Sequence, residues 1–355
     1  MSPLSHIESV RKLRFGEDLR ARDLPPDERA WLRQLGGPTL LLVPGRDRSR
    51  TRIAATLLHG NEPSGLRAMH RWLASDPMPA VDALLFIGAV GTALARPPFS
   101  HRSLPGRRDL NRCWLPPFEG PEGVLARSVL DALRTTRAEA LVDIHNNSGH
   151  NPVYGVAPRA GLAETALASL FADRLVHTTI ELGTLVEATQ GDFPSVTLEC
   201  GRSGDIVADD RAFAGLARFL GRETLDLSTL DQPVSLLVDP VRVCVGDGVG
   251  LDFGDSPISG IDFTVSRDVD RHNFELLAPG TAIGWVGDRD IWPIRAECAQ
   301  GRDRSRELFR IRERELVTRT SLIPVMMTTD RNSALTDCLF YAVQPSTRDP
   351  RPDPD

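Results

Sequence analysis

The chain has 355 residues, of which 41% are hydrophobic and 25% charged, the balance of an ordinary globular protein long enough for two domains and a sizeable core, which excludes a disordered chain. Forty-two basic residues against 48 acidic ones give a formal net charge of −6, so there is no broad basic field and nucleic acid is excluded as a main partner. Five widely spaced cysteines without a CxxC pair, a charged N-terminal stretch and the lack of any long uninterrupted apolar run lead us to expect a soluble, cytoplasmic protein with neither a disulfide framework nor a membrane partner.

Apolar, β-rich runs alternate with helical patterns through the first two-thirds of the chain. Thr39–Val43, Thr51–Leu58, Ala83–Gly88, Ala140–Ile144 and Ser195–Leu198 read as short buried strands, while Gly65–Ala74, Gly120–Arg134, Leu162–Leu175 and Arg211–Leu220 carry apolar residues at helical spacing. Continuous apolar strands alternating with helices predict an α/β sheet covered on both faces. From Pro233 to about Ile294 the texture changes to short strand-like runs (VSLLV, VRVCVG, DFTVS, AIGWVG, WPI) separated by Gly, Pro and Asp, which predicts a small all-β domain. Asp303–Leu316, a dense run of Arg and Glu, reads as a solvated helix or charged connector, and Ser321–Met327 as a further strand. The expected organisation is an α/β domain over 1–228, a β-rich domain over 229–344 and a disordered tail over 345–355, rich in Pro and Asp.

The chemistry-bearing residues gather at the ends of the apolar strands, where α/β folds place ligands. In LLHGNEPSG, His59 and Glu62 lie just past one strand and just before a helix; a nitrogen and a carboxylate three residues apart, held by a turn through Gly60, can point at one metal ion. In LVDIHNNSG, His145 ends another strand and brings a third ligand to the same edge. Three protein ligands leave a position open, as catalytic rather than structural zinc requires. Asp143, two residues earlier on the same strand face, is positioned to hold the second nitrogen of a ligand histidine. In FPSVTLECG a buried strand runs directly into Glu199, and a carboxylate there fits a general base that activates water and passes the proton to a leaving amine. Cys200 beside it faces the other side of the strand, as a core residue. In GRRDLNR, Arg107, Arg108, Asn111 and Arg112 share one loop, and arginine beside asparagine can grip a carboxylate. Lys12 is the single lysine in the chain, so nearly all the positive charge is arginine.

Taken together, HGNE, DLNR, DIH and LEC resemble, in order and approximate spacing over residues 38 to 220, the succinylglutamate desuccinylase/aspartoacylase family of zinc hydrolases, related to the M14 zinc carboxypeptidases. The resemblance implies a zinc carboxypeptidase-like, phosphorylase/hydrolase-like α/β fold, a mixed sheet between helices, with a smaller C-terminal all-β domain. It also implies one zinc ion held by His59, Glu62 and His145, Glu199 as general base, and Asn111 and Arg112 on a substrate carboxylate. The activity implied is hydrolysis of the amide bond of an N-acyl amino acid. A further family arginine that polarises the scissile carbonyl would fall near Leu104, where Arg102, Arg107 and Arg108 are close; Arg102 and Arg108 are the catalytic candidates. The family's pocket tyrosine from the C-terminal part has no evident match, since only Tyr154 and Tyr341 exist. A zinc carboxypeptidase acting on short peptides and a non-catalytic carboxylate-binding protein remain as alternatives, and homo-oligomer formation stays open.

Overall fold

A computed structural model describes residues 10–289 and 291–344. The expected tail over 345–355 lies outside the described residues.

The molecule is built on a nine-stranded mixed sheet whose strands are β1 (Arg11–Arg14), β2 (Thr39–Val43), β3 (Asp47–Thr56), β4 (Val81–Ile87), β5 (Ala138–Asn147), β6 (Tyr154–Ala157), β7 (Arg174–His177), β8 (Ser195–Arg202) and β9 (Ser235–Val238), ordered β1-β2-β4-β3-β5-β8-β6-β7-β9. The four central strands β4, β3, β5 and β8 run parallel, and β2 and β6 flank them antiparallel. Their near-continuous apolar sequences follow from burial on both faces. Leu41, Ala54, Val142, Ile144, Val196 and Leu198 pack on one side beneath α1 (Glu28–Leu35), α2 (Ser64–Ala74) and a long helix over Ile206–Gly221. Leu40, Ile53, Ala55, Phe86 and Leu141 pack on the other side, where the helix Gly120–Arg134 contributes Ala126, Val129, Leu130 and Leu133. The sheet between helices is the architecture expected.

The strand and helix signals hold where the apolar runs are long and shift where they are short. Leu162–Leu175 divides into a helix over Leu162–Ser169 and the strand β7, and β6 had no signal of its own. The first run of the expected β-rich region supplies β9, which pairs with β7, so the large sheet extends to Val238.

Beyond it the chain forms a four-stranded sheet, ordered Ile294–Glu297, Val241–Val245, Phe340–Val343, Ile323–Val325, and a five-stranded sheet, ordered Leu251–Gly254, Phe263–Ser266, Ala282–Val286, Glu315–Thr318, Phe309–Arg312, over a shared core. The Arg/Glu run expected to be a helix or connector is instead mostly a β-hairpin: Phe309–Arg312 pairs antiparallel with Glu315–Thr318 through Glu313 and Arg314, both at positive φ (50° and 68°). Phe309 is buried in the core while Arg310, Ile311 and Arg312 are exposed, so hairpin pairing with Glu315–Thr318 overrides the helix preference of Arg and Glu.

Two contacts seat the C-terminal sheets beside the ligand-bearing loops. Ser148 Oγ lies 2.8 Å from Thr328 Oγ1, and the Asn273 side chain donates to the carbonyls of both His150 (3.0 Å) and Met327 (2.9 Å).

Candidate metal and catalytic site

Three neighbouring parallel strands, β3, β5 and β8, end side by side and carry the site. After β3 the chain turns through Leu57, buried and at a φ of 58°, a conformation rare for a branched side chain and held by its carbonyl accepting from Ala89 N at 2.6 Å. His59 and Glu62 follow, before α2. Gly60 between them admits no side chain, because a Cβ there would lie 2.6 Å from Thr92 Cγ2 and 2.8 Å from the His101 carbonyl. Gly65, in the first turn of α2, lets the helix rest on the sheet; a Cβ would meet Thr56 Oγ1 at 2.1 Å.

Side chains alternate along a strand, so Asp143 and His145 on β5 and Glu199 on β8 leave the sheet on the side of Leu141, whereas Ile144, Leu198 and Cys200 enter the opposite core. His145 is the register partner of Glu199, and Tyr154 on β6 is its register partner on the other side. One row across three strands therefore holds His145, Glu199 and Tyr154.

His59, Glu62 and His145 are all buried, with one ligand atom from each within 4.8 Å of the others. Glu62 lies between the rings: Oε1 is 2.9 Å from His59 Nδ1 and Oε2 is 2.7 Å from His145 Nδ1. The outer nitrogens face carboxylates. His145 Nε2 is 2.8 Å from Asp143 Oδ2, and His59 Nε2 lies 3.1 Å from Asp109 Oδ1, close but without the alignment of a hydrogen bond. If each neutral ring gives its one proton to the outer carboxylate, its Nδ1 lone pair confronts the Glu62 oxygens. Glu62 and Asp143 are buried and Asp109 is half-buried beside Arg102, so the carboxylates around the two rings outnumber the one guanidinium that reaches them; a dication held by His59, Glu62 and His145 would offset the remainder, with Asp109 and Asp143 orienting the rings from behind. The donor set suits zinc.

The protonation preferences reflect the same deficit. Burial works against ionisation of Glu62, yet His59 and His145 outweigh it and hold the carboxyl below its usual range. Burial likewise opposes charge on His145, but Asp143 and Glu62 raise its pKa well above the usual value. Burial also opposes ionisation of Asp109, and His59, Arg102 and Arg112 overcome it to keep the group ionised. Glu199 goes the other way: burial pushes its pKa up to about 8 against the pull of His145. Its Oε2 accepts from Asn147 Nδ2, which also lies 3.4 Å from the Tyr154 hydroxyl.

The residues of the GRRDLNR loop separate in space. Asn111 lines the cavity over the metal group and accepts from Leu185 N at 3.1 Å through Oδ1, which leaves its Nδ2 for the cavity. Arg112 also lines it, and Nη2 lies 3.2 Å from Asp337 Oδ2. Arg102 reaches over the metal group, with Nε 2.9 Å from Asp109 Oδ2 and Nη1 3.9 Å from Glu62 Oε1. Arg108 is not brought there: it points outward and donates to the Glu119 carbonyl at 2.8 Å. Arg107 pairs with Glu122. The sequence reading did not single out Asp109, Asn147 or Asp337. Asp109 stood inside a quoted motif, as the acid beside the arginines, whereas Asp337 carried no local signal.

The cavity measures about 180 Å3, and Tyr154 and Tyr341 both line it. The C-terminal part closes one side through Val325, Met326, Asp337 and Tyr341. Among the described residues no helix is long and apolar enough to cross a membrane.

No family model and no curated protein matches the sequence. Solved structures do. A succinylglutamate desuccinylase/aspartoacylase from Rhodobacter sphaeroides is similar at 17% identity over 85% of this chain and 86% of that one, with a TM-score of 0.53. A succinylglutamate desuccinylase from Vibrio parahaemolyticus aligns at 16% identity over 84% and 81%, with a TM-score of 0.53. Murine aminoacylase 3 aligns at 17% identity over 84% and 95%, with a TM-score of 0.50. The chain therefore has the fold of the succinylglutamate desuccinylase/aspartoacylase structures.

Proposed function

We propose that the protein is a zinc-dependent hydrolase that cleaves the amide bond of an N-acyl amino acid or a related small carboxylate. The observation that carries this reading is the buried His59, Glu62 and His145 group set beside Glu199, the register partner of His145, in one cavity. The similarity in fold to desuccinylase and aminoacylase structures supports the substrate class. His59, Glu62 and His145 would hold one zinc ion, which when bound supplies Lewis-acid activation of water and of a carbonyl.

The chain's own residues divide the remaining work. Glu199 accepts the proton of the attacking water at its carboxylate and passes it to the nitrogen of the leaving amine. Asn147 holds that carboxylate in place. Arg102 reaches the position where the scissile carbonyl oxygen gains charge and stabilises it, while Asp109 fixes the guanidinium. Asn111 and Arg112 orient the carboxylate of the amino acid. Arg108 has no part in this arrangement. A cavity of about 180 Å3 closed on one side by Val325 and Tyr341 favours a small acyl amino acid over an extended peptide.

The test is metal content by mass spectrometry after purification without chelators, combined with a hydrolysis screen over N-acetyl, N-succinyl and N-formyl amino acids and short peptides. We expect one zinc per chain and turnover of at least one acyl amino acid. Protein without bound metal, or turnover confined to peptides, would remove the reading.

A further inference from the structure

Asp337 brings a carboxylate of the protein itself into the cavity. It follows the short helix Arg331–Thr336 of the C-terminal part, and it faces three arginines from two distant regions of the chain. Oδ2 lies 3.2 Å from Arg112 Nη2 and 3.6 Å from Arg102 Nη2; Oδ1 lies 2.7 Å from Arg242 Nη2. Burial opposes its ionisation, but Arg112, Arg102 and Arg242 outweigh that and keep the group charged. Apart from the histidines, the cations lining the cavity among the described residues are Arg102 and Arg112. Each already has a carboxylate partner, Asp109 for Arg102 and Asp337 for Arg112.

Away from this polar end the cavity turns apolar. Val156 leaves β6 two residues after Tyr154, on the same face, and its register partner on β7 is Val176. Val325 and Met326 pack in the same cluster as Val156 and Val176, Thr197 is the register partner of Val156 on β8, and Leu182 and Val186 add further apolar lining. Glu187, which also lines the cavity, is engaged by the backbone amides of Leu182, Gly183 and Thr184. An aliphatic chain fits this end. A second carboxylate would lose its hydration and meet no free cation.

Resting on the deacylase reading for its chemistry, we infer that Asp337 determines specificity: by taking one arm of the Arg112 guanidinium, whose other arm donates to the Asn111 carbonyl, it makes the cavity select a monocarboxylate bearing an aliphatic chain and reject a dicarboxylate. A single substrate carboxylate shares Arg112 with Asp337 and meets Asn111 beside it, and the aliphatic part lies along Val156 and Val176. Removing the Asp337 charge leaves three arginines short of one anion, which a second carboxylate can supply.

Calorimetric titration with two probes of equal chain length, hexanoate and adipate, separates the alternatives without relying on turnover. The zinc-loaded wild-type protein should bind hexanoate about tenfold or more tighter than adipate, the size of one unmatched ionic contact. Asp337→Asn should shrink that ratio at least about tenfold by tightening adipate, and Asp337→Glu should keep it. Wild-type protein that binds adipate as tightly as hexanoate, or that binds neither, overturns the inference. So does an Asp337→Asn variant, shown folded by its melting curve, with an unchanged ratio. Should Asp337→Asn fail to fold, the wild-type ratio alone decides. The hydrolysis screen stands apart: probe selectivity without turnover removes the deacylase reading and leaves the role of Asp337, whereas turnover without selectivity does the reverse.

Discussion

His145 and Glu199 face each other across two adjacent parallel strands, one as a proposed ligand and the other as a proposed base. Parallel pairing fixes their separation through the backbone rather than through flexible side chains, so a change in either residue's chemistry can be made without moving the other.

Glu199→Gln keeps the shape and the contact with Asn147 but removes the proton acceptor. Turnover should fall by roughly a hundredfold to ten-thousandfold, with zinc content unchanged by mass spectrometry. Full activity in this variant would assign the base elsewhere.

The metal group responds in two grades. His145→Ala removes a ligand and should abolish stoichiometric zinc. Asp143→Asn and Asp109→Asn, which act on the ring nitrogens behind the ligands, should weaken zinc affinity by about 10- to 100-fold in competition with a chromophoric chelator. Equal affinity in all three variants would rule out this coordination.

The two candidate arginines should differ sharply. Arg102→Ala should cost about a hundredfold to a thousandfold in kcat/KM, whereas Arg108→Ala, on a group that donates to the exposed Glu119 carbonyl, should leave kcat/KM within about twofold of wild type. The reverse order would exchange their roles.

Glu199 also sets a pH signature in the metal-free protein. Its pKa is pushed from the ordinary 4.5 up to about 8 when folded, so the folded state holds a proton that the unfolded chain releases. The stability this proton contributes is complete below the unfolded value and is lost as pH rises through about 8. Glu199→Gln, which cannot ionise, should therefore be more stable than the metal-free wild type at pH 8 by on the order of a few kcal/mol, with the difference vanishing toward pH 4. Melting curves across that range check it, and a difference independent of pH would mean the carboxyl is not desolvated.

What was legible in the sequence followed from strand length. Apolar runs such as TLLLV and ALVDI are long enough to be buried on both faces, and the residues at their ends, His59, Glu62, His145 and Glu199, could be read from position alone. The four-residue strands YGVA and RLVH are too short to show a period, so β6 and β7 were missed, and with them the row that puts Tyr154 beside Glu199. In FRIRERELVT burial does not alternate, since Ile311 is exposed and Leu316 and Val317 are both buried, so the dense charge was the visible signal and the hairpin was not. Asp109 and Asp337 act through tertiary contacts: one meets a histidine fifty residues earlier in the chain, the other an arginine more than two hundred residues earlier. Asp109 stands inside the GRRDLNR motif without its partner being readable from it, and no local pattern marks Asp337.

The division of the cavity wall has an evolutionary consequence. The nine-stranded sheet and its loops carry the proposed reaction chemistry, while Val325, Met326, Asp337 and Tyr341 come from the strands, helix end and connections of the C-terminal part. On the deacylase reading, substitutions in that second stretch would redirect the protein toward new acyl groups while the proposed hydrolytic residues are inherited intact. A lineage, or a designer, could thus diversify substrates by drifting one short part of the chain.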